Sequence, residues 1–94
     1  MSKYETIYIV RPTVDEEGIE ALQEKFKSII EENGEIETID DWGKRKLAYL
    51  IDDIGEGHYV YMKFKATHVV PKELDRVFGI TEEILRHMII KIEE

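Results

Sequence analysis

At 94 residues the chain has room for one hydrophobic core and reads as one domain over residues 1–94. Its 13 lysines and arginines face 21 aspartates and glutamates, a net charge of −8, which argues against a generic nucleic-acid binder with a uniformly basic surface. With no cysteine, disulfides and thiolate metal sites are excluded, and neither a signal peptide nor a run of ~20 apolar residues is visible, so a cytoplasmic protein without membrane contact is expected.

Tyr4–Val10 is rich in β-branched and aromatic residues and is stopped by Pro12, which predicts a strand. Thr6, Tyr8 and Val10 alternate with Glu5, Ile7 and Ile9, so both faces carry apolar groups, as in a central strand. Thr13–Asn33 predicts a helix. Thr13 with Glu16 forms a capping-box pattern, and Ile19, Leu22, Phe26, Ile29 and Ile30 recur at helical spacing. Acids in the first turn suit the helix dipole, and Gly34 is expected to end the helix in a left-handed conformation.

Glu35–Ile51 predicts a long extended segment with a bulge or bend at Gly43. Asp52–Gly57, with two glycines and three acids, predicts a hairpin loop. His58–Ala66 alternates Tyr59, Tyr61, Lys63 and Lys65 against Val60, Met62, Phe64 and Ala66, a strand with one wet or partner-facing side. Pro71–Phe78 predicts a short helix with Leu74, Val77 and Phe78 inward and Gly79 at its end. Leu85–Ile92 predicts the last strand, with Glu93 and Glu94 fraying. The order β-α-β-β-α-β implies an α+β, ferredoxin-like plan: a four-stranded antiparallel sheet with both helices on one face and the first and third strands central.

No catalytic or cofactor chemistry emerges. His58, His68 and His87 lie in separate elements without metal-ligand spacing, so no metal is expected. The acidic loop lacks the alternation and terminal glutamate of a calcium loop. Gly55 and Gly57 precede a strand rather than the helix a phosphate cradle needs. Ser2 and Ser28 have no partner suggesting a nucleophile. Arg11 is loosely placed for the phosphate loop of an acylphosphatase, but Pro12-Thr13-Val14 supplies no glycine-rich cradle. A non-enzyme without cofactor or small-molecule substrate is expected.

The run Trp42-Gly43-Lys44-Arg45-Lys46-Leu47-Ala48-Tyr49 is different. On a strand Lys44 and Lys46 share one face and Arg45 the other, unless a bulge at Gly43 turns them toward a common edge. The cations fit phosphate, and Trp42 or Tyr49 fits a base or a protein surface. Charges on an edge strand also block sheet-to-sheet aggregation, and spacing alone leaves both readings open. A second basic group, Arg86, His87 and Lys91, lies in the last strand. The strand Gly57–Phe64 superficially suggests an independent RNA-recognition-motif binder of single-stranded RNA, although its aromatics are out of step with that motif.

Three stretches carry a more specific signal: Lys3-Tyr4-Glu5 with Tyr8–Pro12, Asp41–Tyr49, and Ile84–Lys91. Together they resemble the sixth protein of the bacterial small ribosomal subunit, the S-six family, over essentially the whole chain. The resemblance implies a structural ribosomal protein that binds the central domain of 16S ribosomal RNA as a heterodimer with the basic ribosomal protein S-eighteen. Such a partner supplies phosphate neutralisation that an acidic chain cannot. Carried onto this sequence, Lys3, Lys44, Lys46, Arg86, His87 and Lys91 are the expected RNA-facing residues, and Trp42, Arg45 and Tyr49 the expected protein contacts.

Overall fold

The computed structural model describes residues 1–93, the side chain of Glu93 excepted. The elements are β1 (Ser2–Val10), α1 (Glu16–Glu32), β2 (Gly34–Ile51), β3 (Ile54–Ala66), α2 (Val69–Ile80) and β4 (Ile84–Glu93). All neighbouring strands are antiparallel in the order β2-β3-β1-β4, which puts β1 and β3 in the centre. Both helices pack on one face, giving the ferredoxin-like α+β fold.

Strand alternation decides which side chains meet the helices. Tyr4, Thr6, Tyr8 and Val10 of β1 and Val60, Met62, Phe64 and Ala66 of β3 are buried against Ile19, Leu22, Phe26 and Ile30 of α1 and Val70, Leu74, Val77 and Phe78 of α2. An aromatic cluster sits between the layers: the Tyr8 ring lies 5.0 Å from Phe26 and 5.2 Å from Phe78. The opposite face carries Glu5, Ile7, Tyr59, Tyr61, Lys63 and Lys65, all half-buried. Among the described residues no helix covers that face.

The boundaries differ from the sequence expectation at several places. Asp15, not Thr13, caps α1: its Oδ1 accepts a hydrogen bond from Gly18 N at 2.8 Å. Thr13 is spent in the turn after Pro12, which the Val14 N–H to Arg11 carbonyl bond closes. Gly34 does not end α1 in a left-handed conformation. Asn33 is the cap, and Gly34 opens β2, where an added Cβ would sit 2.3 Å from the Lys65 carbonyl oxygen. Close approach of two strands, rather than φ, requires glycine there.

The expected Asp52–Gly57 loop shrinks to Asp52-Asp53, both left-handed with φ of 49° and 62°, as a two-residue hairpin turn requires. Ile54–Gly57 is already β3. Gly79 does not end α2, which continues to Ile80; the Thr81 hydroxyl, donating to the Val77 carbonyl at 2.5 Å, closes it instead. At the C-terminus Glu93 still belongs to β4, so its backbone does not fray, and the expectation for Glu94 lies outside the described residues.

Candidate nucleic-acid and protein interface

The basic run lies on the outer half of β2, beyond a bulge. Pairing passes from Asp41 opposite Val60 to Gly43 opposite Tyr59, so one extra residue is inserted at Trp42. Gly43 takes φ of +78°, a conformation that favours glycine, and its N–H donates to Asp41 Oδ1 at 2.9 Å. The bulge delivers Trp42 onto the open face, where its ring lies parallel to Tyr61 at 5.7 Å and close to parallel with Tyr59 at 6.5 Å. The indole N–H donates to Asp40 Oδ2 at 3.1 Å. Tyr61 Oη in turn donates to Glu5 Oε2 at 2.8 Å, and desolvation together with that carboxylate raises the phenol above its ordinary pKa.

Past the bulge the alternation resumes. Lys44 pairs with His58 and Lys46 with Glu56, on the side of the sheet that carries the helices. Arg45 pairs with Gly57 and points to the open side, where its guanidinium lies 5.3 Å from the Trp42 ring centre and its Nε donates to the Trp42 carbonyl at 3.4 Å. The bulge therefore leaves the basic run split between two faces.

Four residues of β2, Leu47–Leu50, stand opposite the single residue Gly55, and the ladder is interrupted there. This segment arches toward β4. The Tyr49 ring, though on the opposite edge strand, lies 5.4 Å from the Arg86 guanidinium, and Arg11 Nη2 reaches Asp52 Oδ2 at 3.9 Å. Beneath lies a groove of about 630 Å³ lined by Ile7, Ile9, Trp42, Tyr59, Arg86 and Met88, among others. The three expected protein contacts, Trp42, Arg45 and Tyr49, are thus on one face, and Arg86 is with them.

The second basic group is divided. Arg86 pairs with Ile9 and faces the groove, whereas His87 pairs with Tyr8 and Lys91 with Tyr4, on the helix side. His87 Nε2 lies 2.8 Å from Asp75 Oδ1 and its ring 5.0 Å from Phe78, so α2 holds it. Lys3, on the open side opposite Lys65, reaches Glu37 Oε2 at 4.0 Å. The sequence placed Tyr59 and Tyr61 on a wet or partner-facing side of their strand but did not show them as a bed under Trp42, nor did it mark Met88, Ile90 and Ile92 on β4, 44–47% accessible, as an exposed row. The signal for both was plain alternation, in β3 and in β4 respectively.

The sequence model of a family described as "Ribosomal protein S6" matches residues 3–91. The chain belongs to the ribosomal protein S6 family. The small ribosomal subunit protein bS6 of Clostridium perfringens is 55% identical over 95 residues, covering 100% of both chains, and that of Clostridium acetobutylicum matches to the same extent. The crystal structure of 30S ribosomal protein S6 from Thermotoga maritima superposes with a TM-score of 0.91 at 35% identity, covering 97% of this chain and 87% of that one.

Membership in the S6 family makes the chain a structural, non-enzymatic constituent of the small ribosomal subunit, so RNA is the surrounding polymer. In that setting the ion-pair pattern is informative. Arg11, Arg76, Lys3, His58 and His87 each have a carboxylate within 4.0 Å. Among the described residues Lys44, Arg45, Lys46 and Arg86 have none, nor do Lys25, Lys27, Lys63, Lys65 and Lys72; what sets the first four apart is that they gather at the β2–β3 hairpin and the end of β4 facing it. A chain with eight surplus acids leaves the cations of this S6 hairpin and the facing Arg86 open to external anions.

Proposed function

We propose that this S6-family chain, acting as one domain over residues 1–94 in the bacterial cytoplasm, binds the central domain of 16S ribosomal RNA as a heterodimer with ribosomal protein S-eighteen during subunit assembly. The observation that carries the reading is the grouping of four cations without an ion-pair partner, Lys44, Arg45, Lys46 and Arg86, at one end of the sheet of an otherwise acidic chain. Counter-ion release at phosphates favours such residues, and the acidic remainder favours a basic protein partner.

Lys44 and Lys46 are RNA contacts on the helix side of the hairpin, with Arg86, His87, Lys91 and Lys3 completing the RNA set. The protein partner takes the open face through Trp42, Arg45 and Tyr49, with the apolar row of Met88, Ile90 and Ile92 extending that surface. An independent reader that stacks bases on Tyr59 and Tyr61 is disfavoured, because Trp42 already lies against both rings.

The test is RNA affinity of the chain with and without S-eighteen. A sharp rise with the partner, a matching rise in protein–protein affinity with RNA, and a steep loss with salt are expected. Equal RNA affinity in both conditions sinks the heterodimer reading.

A further inference from the structure

Two arginines on the open face share an arrangement. Arg45 lies over Trp42 at 5.3 Å and Arg86 over Tyr49 at 5.4 Å. Neither has a carboxylate within 4.0 Å among the described residues. Trp42 and Arg86 both line the same groove, and Tyr49 and Arg86 line the smaller hollow continuous with the arch of Leu47–Leu50.

A guanidinium lying over a ring keeps N–H groups for a ligand: the Nη groups of Arg45, whose Nε donates to the Trp42 carbonyl, and the whole fork of Arg86. That planar fork fits two phosphate oxygens, and the ring removes much of the rotamer freedom that an unrestrained arginine would lose on binding. The Trp42 ring is fixed, whereas Tyr49 is 59% exposed and only the hairpin tip that carries it is tied down. Trp42 is held by the Tyr59–Tyr61 bed and by Asp40, and the tip carrying Tyr49 is tied to Arg11 through Asp52.

We propose that Arg45 and Arg86 are a pair of ring-stacked receptors for RNA phosphodiesters flanking the open-face groove, with Trp42 and Tyr49 as their positioning residues. This rests on the RNA-binding reading above, and it moves Arg45 from the protein contact to the RNA contact. Tyr49 then acts through Arg86 rather than as a contact in its own right. The arrangement puts phosphate capture and the apolar partner surface on one face, so RNA and protein meet there.

The experiment has two arms. In the free protein, the Arg86 Nε–Hε NMR resonance reports the ring current of Tyr49. Its shift should collapse in Tyr49→Leu and persist in Tyr49→Phe, and an unchanged resonance in Tyr49→Leu overturns the stack. With S-eighteen bound, titration with inorganic phosphate should move both arginine resonances only weakly, whereas a central-domain RNA fragment should move them strongly. Equal response to both marks a general anion site and overturns the phosphodiester assignment.

In the second arm, RNA affinity in the presence of S-eighteen is followed against salt. Arg45→Gln and Arg86→Gln should each reduce the slope of log K on log salt by about 1. Arg86→Lys should keep the slope and weaken binding several-fold. Tyr49→Leu should weaken binding several-fold at unchanged slope, with Tyr49→Phe restoring it. Steep wild-type binding with unchanged slopes in both glutamine variants overturns the receptors and leaves RNA binding standing; no wild-type binding overturns both.

Discussion

His58 Nε2 lies 2.6 Å from Asp41 Oδ1, joining β3 to the residue that sets the β2 bulge. The same carboxylate accepts from Gly43 N at 2.9 Å and, through Oδ2, from Gln23 Nε2 of α1 at 3.0 Å. One side chain thus fixes the bulge, the central strand and a helix relative to one another, and the bulge is what turns Trp42 onto the open face. Asp41→Asn keeps the volume but weakens the charge-assisted bonds, so it should cost about 1–2 kcal/mol in urea unfolding. It should also alter Trp42 fluorescence in the folded protein. An unchanged emission spectrum would separate the bulge from Asp41.

Among the described residues Tyr8 Oη is buried without a hydrogen-bond partner, and burial, with the nearby Asp41 charge, pushes the phenol well above its ordinary pKa of 10.0. Removing an unsatisfied buried hydroxyl while keeping the ring should leave Tyr8→Phe as stable as the parent or about 1 kcal/mol more stable. The pH dependence follows from the direction of the shift. A phenol that ionises more easily unfolded than folded favours folding fully below pH 10.0 and progressively less above it. Each such group contributes a slope of about −1.4 kcal/mol per pH unit there. Chemical unfolding between pH 9 and about 11 should therefore show a shallower alkaline decline for Tyr8→Phe. Identical declines would mean that Tyr8 is not the titrating group.

The strands, both helices and their order were legible because alternation and helical periodicity are local. Ile19, Leu22, Phe26 and Ile30 could point only one way once α1 packed on a sheet. The bulge at Gly43 was legible as an interruption, but its outcome was not. Whether Arg45 joins Lys44 and Lys46 depends on which residue is inserted, and that is set by Asp41 and the Trp42 bed. The grouping of Arg86 with Trp42 and Tyr49, rather than with His87 and Lys91, required two further facts. One is the register of β4 on β1; the other is the arch of Leu47–Leu50, a departure from regular pairing that no periodicity encodes.

Two glycines make opposite predictions. At Gly34 a Cβ would lie 2.3 Å from the Lys65 carbonyl oxygen and 2.7 Å from Ala66 Cβ, so the strands must separate. Gly34→Ala should destabilise by about 1–3 kcal/mol, as overpacking does. At Gly79, within α2, a Cβ would meet nothing within 4 Å. Gly79→Ala should stabilise by about 0.5–1 kcal/mol through helix propensity. Urea midpoints at constant m-value read both, and a loss at Gly79 or a gain at Gly34 would refute the corresponding geometry.

The turn residues Asp52 and Asp53 both have positive φ, which an L-residue adopts at a cost and glycine does not. Asp52 is engaged with Arg11, but Asp53 takes part in no hydrogen bond or ion pair among the described residues. Asp53→Gly gives the Asp-Gly pair that two-residue hairpins favour and should stabilise the tip by up to about 1 kcal/mol. The effect should be local: amide exchange at Ile51 and Ile54, which pair across the turn, should slow, while exchange at core positions such as Val60 and Met62 should follow only the change in global stability. Faster exchange at the tip would show that aspartate at this position supplies a stabilising contact that outweighs its backbone strain.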